Sequence, residues 1–293
     1  MSAEPLVIQG LSKTYANGVR ALKNVSLTIR TGLFGLLGPN GAGKSTLMRI
    51  LATLQEADTG VVRLGHLDLL SRPDEARKVL GYLPQDFGFE PQSTPVSMLD
   101  LFATLKGIAD SRERRRVVDG LLTQVNLWDV RKRRLGEFSG VMRQRFGIAV
   151  ALLGNPKLVI VDEPTAGLDP AERRRFHNLL AELGEEVVVI LSTHIVEDVR
   201  DLCTEMAVID KGVILLAGSP AALTRDMEGQ VWRKSVARAD LPTVRATYEV
   251  IDERLFAGQA VLRVYSQERP DASFQPADVT IKDVYFRRIG LEA

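Results

Sequence analysis

The nine residues Gly38, Pro39, Asn40, Gly41, Ala42, Gly43, Lys44, Ser45 and Thr46 constrain this chain more than any other stretch. They fit the spacing G-x-x-x-x-G-K-[ST]. In that pattern the glycines let successive backbone N–H groups turn inward as an anion-binding nest with no Cβ in the way. Lys44 stands where an ammonium reaches terminal phosphates, and Ser45 where a hydroxyl can ligate a divalent cation. The helix expected from Gly43 onward adds the positive end of its dipole. The context agrees with the motif. Gly32–Leu37 is a short apolar run bounded by glycines, and Leu47–Leu51 carries apolar residues at helical spacing. Strand, loop and helix is the order such a nest requires, so the stretch predicts a nucleoside triphosphate site.

Composition narrows the class around that site. The chain has 293 residues, 45% of them hydrophobic, enough for the core of one large or two modest domains. Its formal net charge of +1 provides no global field to recruit nucleic acid or a membrane. The single cysteine, Cys203, excludes a disulfide framework and reads as a small apolar filler. No apolar run approaches the roughly 18 residues of a membrane span, and Met1–Pro5 lacks the features of a signal peptide. A cytoplasmic, soluble chain is the expectation.

Patterning along the chain predicts an α/β core. Leu6–Tyr15 and Val19–Ile29 read as strands joined by the turn Ala16-Asn17-Gly18. Short strands follow at Gly60–Leu64 and Leu80–Pro84, then helical sequence from about Ser97 to Ala151. Strands at Lys157–Val161, Val187–Leu191 and Met206–Ile209 alternate with helices at Ala171–Leu183 and Ile195–Asp201, which implies a mainly parallel, helix-covered sheet. Ala217–Pro220 closes this core. Beyond it, Val231–Val236, Leu255-Phe256 and Ala260–Tyr265 alternate as strands do, while Leu241–Tyr248 and Thr280–Ile289 have helical spacing. The expected organisation is a cassette over 1–220, a helical insertion over about 90–155, and a small α+β appendage over 221–293.

Further chemistry falls in order. Leu158–Val161 is an apolar strand ending in Asp162 and Glu163. A buried strand there delivers Asp162 to a Mg²⁺ at the phosphate site and sets Glu163 where a carboxylate can orient and deprotonate a water. His194 follows another strand and is expected at the carboxyl edge of the same sheet, where α/β folds bind ligands.

These residues together resemble the ATP-binding subunit of an ATP-binding cassette (ABC) transporter, over about residues 5–220. The resemblance implies a P-loop NTPase core, with a mixed, mainly parallel sheet, an antiparallel N-terminal β part and an inserted helical subdomain. Tyr15 matches the aromatic that stacks on adenine, and Gln85 the glutamine that touches Mg²⁺ and the attacking water. Phe138, Ser139, Gly140, Val141 and Met142–Arg145 match the family signature. Asp162 and Glu163 match the metal ligand and the catalytic base, Ala166–Asp169 the loop that crosses to the partner subunit, and His194 the γ-phosphate sensor. Within the family the chain is similar to subunits of bacterial exporters whose permease is a separate chain.

The implied function is ATP hydrolysis that powers such a permease. ATP and Mg²⁺ are the implied cofactors, and the implied location is the inner face of the cell membrane. The implied partners are a second ATPase subunit, as a homodimer or a paired cassette, and a multi-span permease, with no nucleic acid. A soluble cassette ATPase acting on ribosomes or nucleic acid is the alternative; one cassette, near-neutral charge and no heptad run speak against it. One residue departs from the pattern. Val141 stands where the signature has its second glycine, at a helix start facing the opposite nucleotide. Phe138, in place of leucine, is expected to pack. The arginines of 112–116 and 131–134 read as solvated helix faces, Trp128 as core of the insertion and Trp232 as core of the last segment.

Overall fold

The computed structural model describes residues 4–85, 87–165, 169–185, 187–256 and 258–290. The chain opens with β1 (Leu6–Thr14) and β2 (Arg20–Ile29), paired antiparallel, and then β3 (Gly32–Leu37). The phosphate-type loop follows β3 and leads into α1 (Lys44–Leu51). Next come β4 (Thr59–Leu64), β5 (Leu67–Asp68), α2 (Pro73–Val79) and β6 (Leu80–Leu83). Strands β2-β1-β4-β5 form one antiparallel sheet, made possible by the period-two burial of β2 over Val25, Leu27 and Ile29; Leu22 is buried too, across a register shift.

Three helices separate β6 from the next strand: α3 (Pro95–Leu105), α4 (Ser111–Gln124) and α5 (Gly140–Ala151). Each has a side-chain N-cap, Thr94, Asp110 and Ser139 respectively, so local chemistry fixes where each begins. Arg112, Arg115 and Arg116 are exposed as expected. Arg114 is not. It stitches α4 to α3 through Asp100 at 2.9 Å and caps the carbonyls of Ile108 and Ala109.

The second sheet is completed by β7 (Leu158–Asp162), α6 (Pro170–Gly184), β8 (Val188–Thr193), α7 (Val196–Leu202), β9 (Glu205–Asp210) and β10 (Val213–Gly218). Its order is β10-β9-β3-β8-β7-β6, parallel throughout except for the β9–β10 pair. Strands β7 and β8 are buried at every residue, which is why they read as continuous apolar runs rather than alternating ones. Order β3-β8-β7 brings the carboxyl ends of three strands side by side: Leu37 pairs with Thr193, and Asp162 with Ser192.

The rest of the chain forms α8 (Pro220–Arg225), β11 (Val231–Ala237), α9 (Leu241–Thr247), β12 (Glu249–Phe256), β13 (Gln259–Tyr265), β14 (Gln275–Pro276) and α10 (Ile281–Ile289). A third, antiparallel sheet has the order β12-β13-β11-β14. Helix α10 contacts α7 and α8, and its Ile281 and Tyr285 join the same apolar cluster as Leu191 and Val199. A part-buried ion pair, Arg263 Nε to Asp283 Oδ1 at 2.6 Å, ties α10 to β13.

Two expectations are corrected here. Trp128 is not core: the residue is 36% exposed and its ring lies under the Arg131 guanidinium, whose Cζ is 3.8 Å from the ring centroid. Trp232 is half-buried, with its Nε1 donating to Ser266 O at 3.1 Å. Strand β10 is additional to the expected elements. The two-residue turn Lys211-Gly212, with φ of 47° and 80°, reverses the chain after Asp210 and allows the β9–β10 hairpin.

Candidate nucleotide site

The loop after β3 is shaped by its glycines. Gly43 has φ +109°, and a Cβ there would come 2.5 Å from Ala21 O; a Cβ on Gly38 would collide with Ile209 O. No other residue type lets the loop press against these two carbonyls and keep its course. The loop lines an open cleft of about 1020 Å³ whose walls include Tyr15, Pro39, Asn40, Gly41, Gly43, Lys44, Ser45, Thr46, Gln85 and Glu163. Ala42 is buried behind it.

Lys44 opens α1 and is only 5% exposed. Its Nζ donates to Gly38 O at 2.7 Å and Pro39 O at 3.0 Å, and lies 3.8 Å from Glu163 Oε1. Burial pulls its pKa down, and the Glu163 and Asp162 carboxylates pull it back up. The ammonium is therefore held at the loop by carbonyls that anionic oxygens of a ligand can replace. The Tyr15 hydroxyl is 2.9 Å from Thr46 Oγ1 and donates to Gln55 Oε1 at 3.3 Å, which fixes the ring at the cleft's rim.

Glu163 follows β7 with φ +48°, a left-handed conformation that costs a non-glycine residue about 1–3 kcal/mol and clusters at functional sites. Its N–H donates to Ser192 O at 2.9 Å. Its Oε2 lies 3.2 Å from His194 Nδ1 and accepts from Gln85 Nε2 at 3.3 Å. Tertiary packing thus brings Gln85, Glu163, His194 and Lys44 together from four segments of chain.

Asp162, 4% exposed, is buried within electrostatic reach of Glu163 and Lys44. Burial pushes its carboxyl pKa up; Ser192 counts on the lowering side, yet no aligned hydrogen bond joins the two. Asp162 Oδ1 and Ser192 Oγ are both buried without a hydrogen-bond partner. An unpartnered buried carboxylate oxygen is costly unless a cation meets it. With the Ser45 hydroxyl and the Gln85 amide in the adjoining cleft, it forms a donor set suited to Mg²⁺, a hard cation that keeps several non-protein ligands. Among the described residues no cluster of three acidic, His or Cys side chains makes a metal cage on its own.

Among the described residues, Ser139, Gly140 and Asp169 neither line this cleft nor bond to those that do. Ser139 caps α5, accepting from Met142 N at 3.2 Å, and both Ser139 and Gly140 are exposed. Gly140 shares a separate, smaller hollow with Gln85. Asp169 caps α6, accepting from Ala171 N and Glu172 N at 2.9 Å each. Ala166, Gly167 and Leu168, expected in the crossing loop, lie outside the described residues. Phe138 is buried, as its expected packing role requires, and so is Cys203, whose thiol burial pushes up to about 12. Sequence reasoning passed over Thr165, Arg173, His177 and Asp198, which gather behind Glu163; the one local signal was Arg173 and His177 four apart on a helix.

Comparison with known proteins agrees with this geometry. The ABC transporter family model matches residues 22–166. The chain is 36% identical over 226 residues to the daunorubicin/doxorubicin resistance ATP-binding protein DrrA of Streptomyces peucetius, covering 76% of this chain and 68% of that one. It is 34% identical over 232 residues to the probable multidrug ABC transporter ATP-binding protein YbhF of Escherichia coli, covering 78% of this chain. It spans only 40% of YbhF's length. An ATP-binding cassette solved as a dimer in a post-hydrolysis state, bound to ADP and Pi, superimposes with a TM-score of 0.66 at 27% identity; the match covers 73% of this chain and 98% of that one. The fold and the cleft define an ABC-type P-loop ATPase cassette. The chain belongs to the ATP-binding proteins of the ABC transporter family.

Proposed function

We propose that this chain binds ATP with Mg²⁺, hydrolyses it, and drives a separate multi-span permease from the inner face of the membrane, with export as the direction. The observation that carries the reading is the convergence of Lys44, Gln85 and Glu163 on one cleft, with His194 held on Glu163 and buried Asp162 within electrostatic reach of Lys44 and Glu163. No helix among the described residues is long and apolar enough to cross a membrane, so a translocation path requires another chain or segment. Export is supported by the names of two relatives, the daunorubicin/doxorubicin resistance protein DrrA and the probable multidrug transporter protein YbhF.

Each side chain has a task the geometry permits. The Lys44 ammonium exchanges the Gly38 and Pro39 carbonyls for β- and γ-phosphate oxygens. Backbone N–H groups of Gly41–Thr46 cradle the phosphates, and the Tyr15 ring offers a face to the base. Asp162, Ser45 and Gln85 would hold Mg²⁺, which supplies charge neutralisation at the phosphates when bound. Glu163 accepts the proton of the attacking water; His194, now on Glu163, turns to the γ-phosphate. Ser139, Gly140 and Asp169 complete the site of a second subunit, since they stand outside the cleft of their own chain. Near-neutral charge sets ribosomes and nucleic acid aside.

The test is Glu163→Gln, which keeps the carboxylate's shape and removes the base. Turnover should fall at least about a hundredfold, while ATP–Mg²⁺ still drives pairing on size-exclusion chromatography. Wild-type turnover in the variant would remove Glu163 from the chemistry. Affinity purification from native membranes should recover a multi-span permease; recovery with ribosomes or DNA would overturn the transport reading.

A further inference from the structure

A second buried polar cluster lies just behind the cleft. Its centre is Asp198 of α7, fully buried. One carboxylate oxygen, Oδ2, accepts from Thr165 Oγ1 at 2.6 Å and from Thr193 Oγ1 at 3.4 Å. The other, Oδ1, accepts from Arg173 Nε at 2.7 Å and lies 2.8 Å from His177 Nε2, both on α6. Burial alone raises this carboxyl's pKa, and the hydrogen bonds of His177, Thr165 and Arg173 outweigh it, holding the group below its ordinary value.

A buried charge of this kind is poor glue, because desolvation consumes most of what the pairing returns. Its placement is informative. Thr165 stands two residues after Glu163, and Thr193 immediately precedes His194. The Thr193 hydroxyl also accepts from Ile195 N at 3.0 Å, on the far side of His194. The two segments that carry Glu163 and His194 therefore end on a single oxygen. The opposite oxygen is anchored to α6, which begins beside Asp169. Glu163 itself is held in a strained backbone conformation, φ +48°, which persists only where the surroundings over-determine it.

We infer that Asp198 is a positioning residue for ATP hydrolysis, setting Glu163 and His194 against each other through Thr165 and Thr193. The inference rests on the ATPase reading above. It assigns Asp198 no contact with substrate; its action passes through the two threonine hydroxyls. A displacement of about 1 Å in a reacting group can cost about a hundredfold in rate, so slackening one tie is expected to register in turnover before it registers in binding.

The test uses two shape-complementary replacements at Thr165 in the full chain, with steady-state ATPase kinetics in ATP–Mg²⁺ and thermal unfolding without nucleotide. Thr165→Val keeps the branched shape and loses the hydroxyl; Thr165→Ser keeps the hydroxyl and loses a methyl. Val should lower kcat about tenfold with KM for ATP within about twofold. Ser should stay within about twofold of wild type in both. A packing role would reverse that order, since Ser leaves the void. Wild-type kcat in Val, a Ser variant as slow as Val, a KM that rises as kcat falls, or a Val chain that does not fold would each overturn the positioning role. A wild-type chain without turnover would instead sink the ATPase reading itself.

Discussion

The phosphate loop and the signature segment differ in how complete they are within one chain. The loop between β3 and α1 is finished: Lys44 is 5% exposed, its ammonium has three oxygen neighbours, and Gly38 and Gly43 are enforced by carbonyls pressing from behind. The start of α5 is not. Ser139 and Gly140 are exposed, the Ser139 hydroxyl is spent on its own helix cap, and a Cβ at Gly140 would meet nothing within 4 Å. Both ends are helix N-termini with free N–H groups, yet only the first is walled. The lesson is that burial pre-organises the lysine half in advance, while the signature half offers open donors to something outside the chain. Under the proposed function that object is the nucleotide on a second subunit.

The largest blow to this contrast is Lys44→Ala. Removing the ammonium takes away the charge nearest the phosphates and should weaken ATP binding by about tenfold or more. It should leave Glu163 without its Lys44 neighbour as well. Unchanged affinity in a nucleotide titration would remove Lys44 from the site.

Asp162→Asn separates stability from function in the finished half. Burial raises the Asp162 pKa in the folded chain, so the carboxyl favours folding below its unfolded pKa, and that contribution is lost as pH rises through the folded one. The ionised form is thus a burden at neutral pH, and the asparagine variant, without nucleotide, should melt higher there. Each 1 kcal/mol relieved shows as roughly 2–4 °C. The gain should shrink toward acid pH, where wild type is protonated too, and turnover should collapse. A lower melting point at pH 7 would mean that Asp162 has a cation or donor partner in the free chain.

The smallest expected effect lies in the open half. Met142 packs against the main apolar cluster, whereas half-buried Val141 is not among the residues that do. Val141→Gly should raise turnover and ATP-driven pairing about twofold by allowing closer backbone approach. It should also cost the free chain roughly 0.5 kcal/mol of helix propensity, seen as a slightly lower melting temperature. Unchanged or lower turnover would assign Val141 to packing alone.

Much of the site was legible because its determinants are local. A glycine-spaced loop, a lysine at its end and a carboxylate pair after an apolar run are contiguous, and backbone conformation follows from residue type over such lengths. Where the reading failed, the determinant was remote. Trp128 looks like core in any window, but the face it turns outward is decided by the docking of its turn on α4 and by Arg131 stacking on it. Strand β10 was missed because its alternation is half-exposed throughout, and only pairing with β9 makes it a strand.

By itself, then, the sequence determined the phosphate loop, the helix caps at Thr94, Asp110 and Ser139, the buried strands and the order of motifs. The tertiary structure alone decided that Thr165, Arg173, His177, Thr193 and Asp198 meet at one buried carboxylate, and that α10 is docked on α7 and α8. The physical reason is that hydrogen bonds and burial between segments tens of residues apart depend on how helices cross the sheet. That geometry is set by the packing of the whole core, and no short stretch of sequence encodes it.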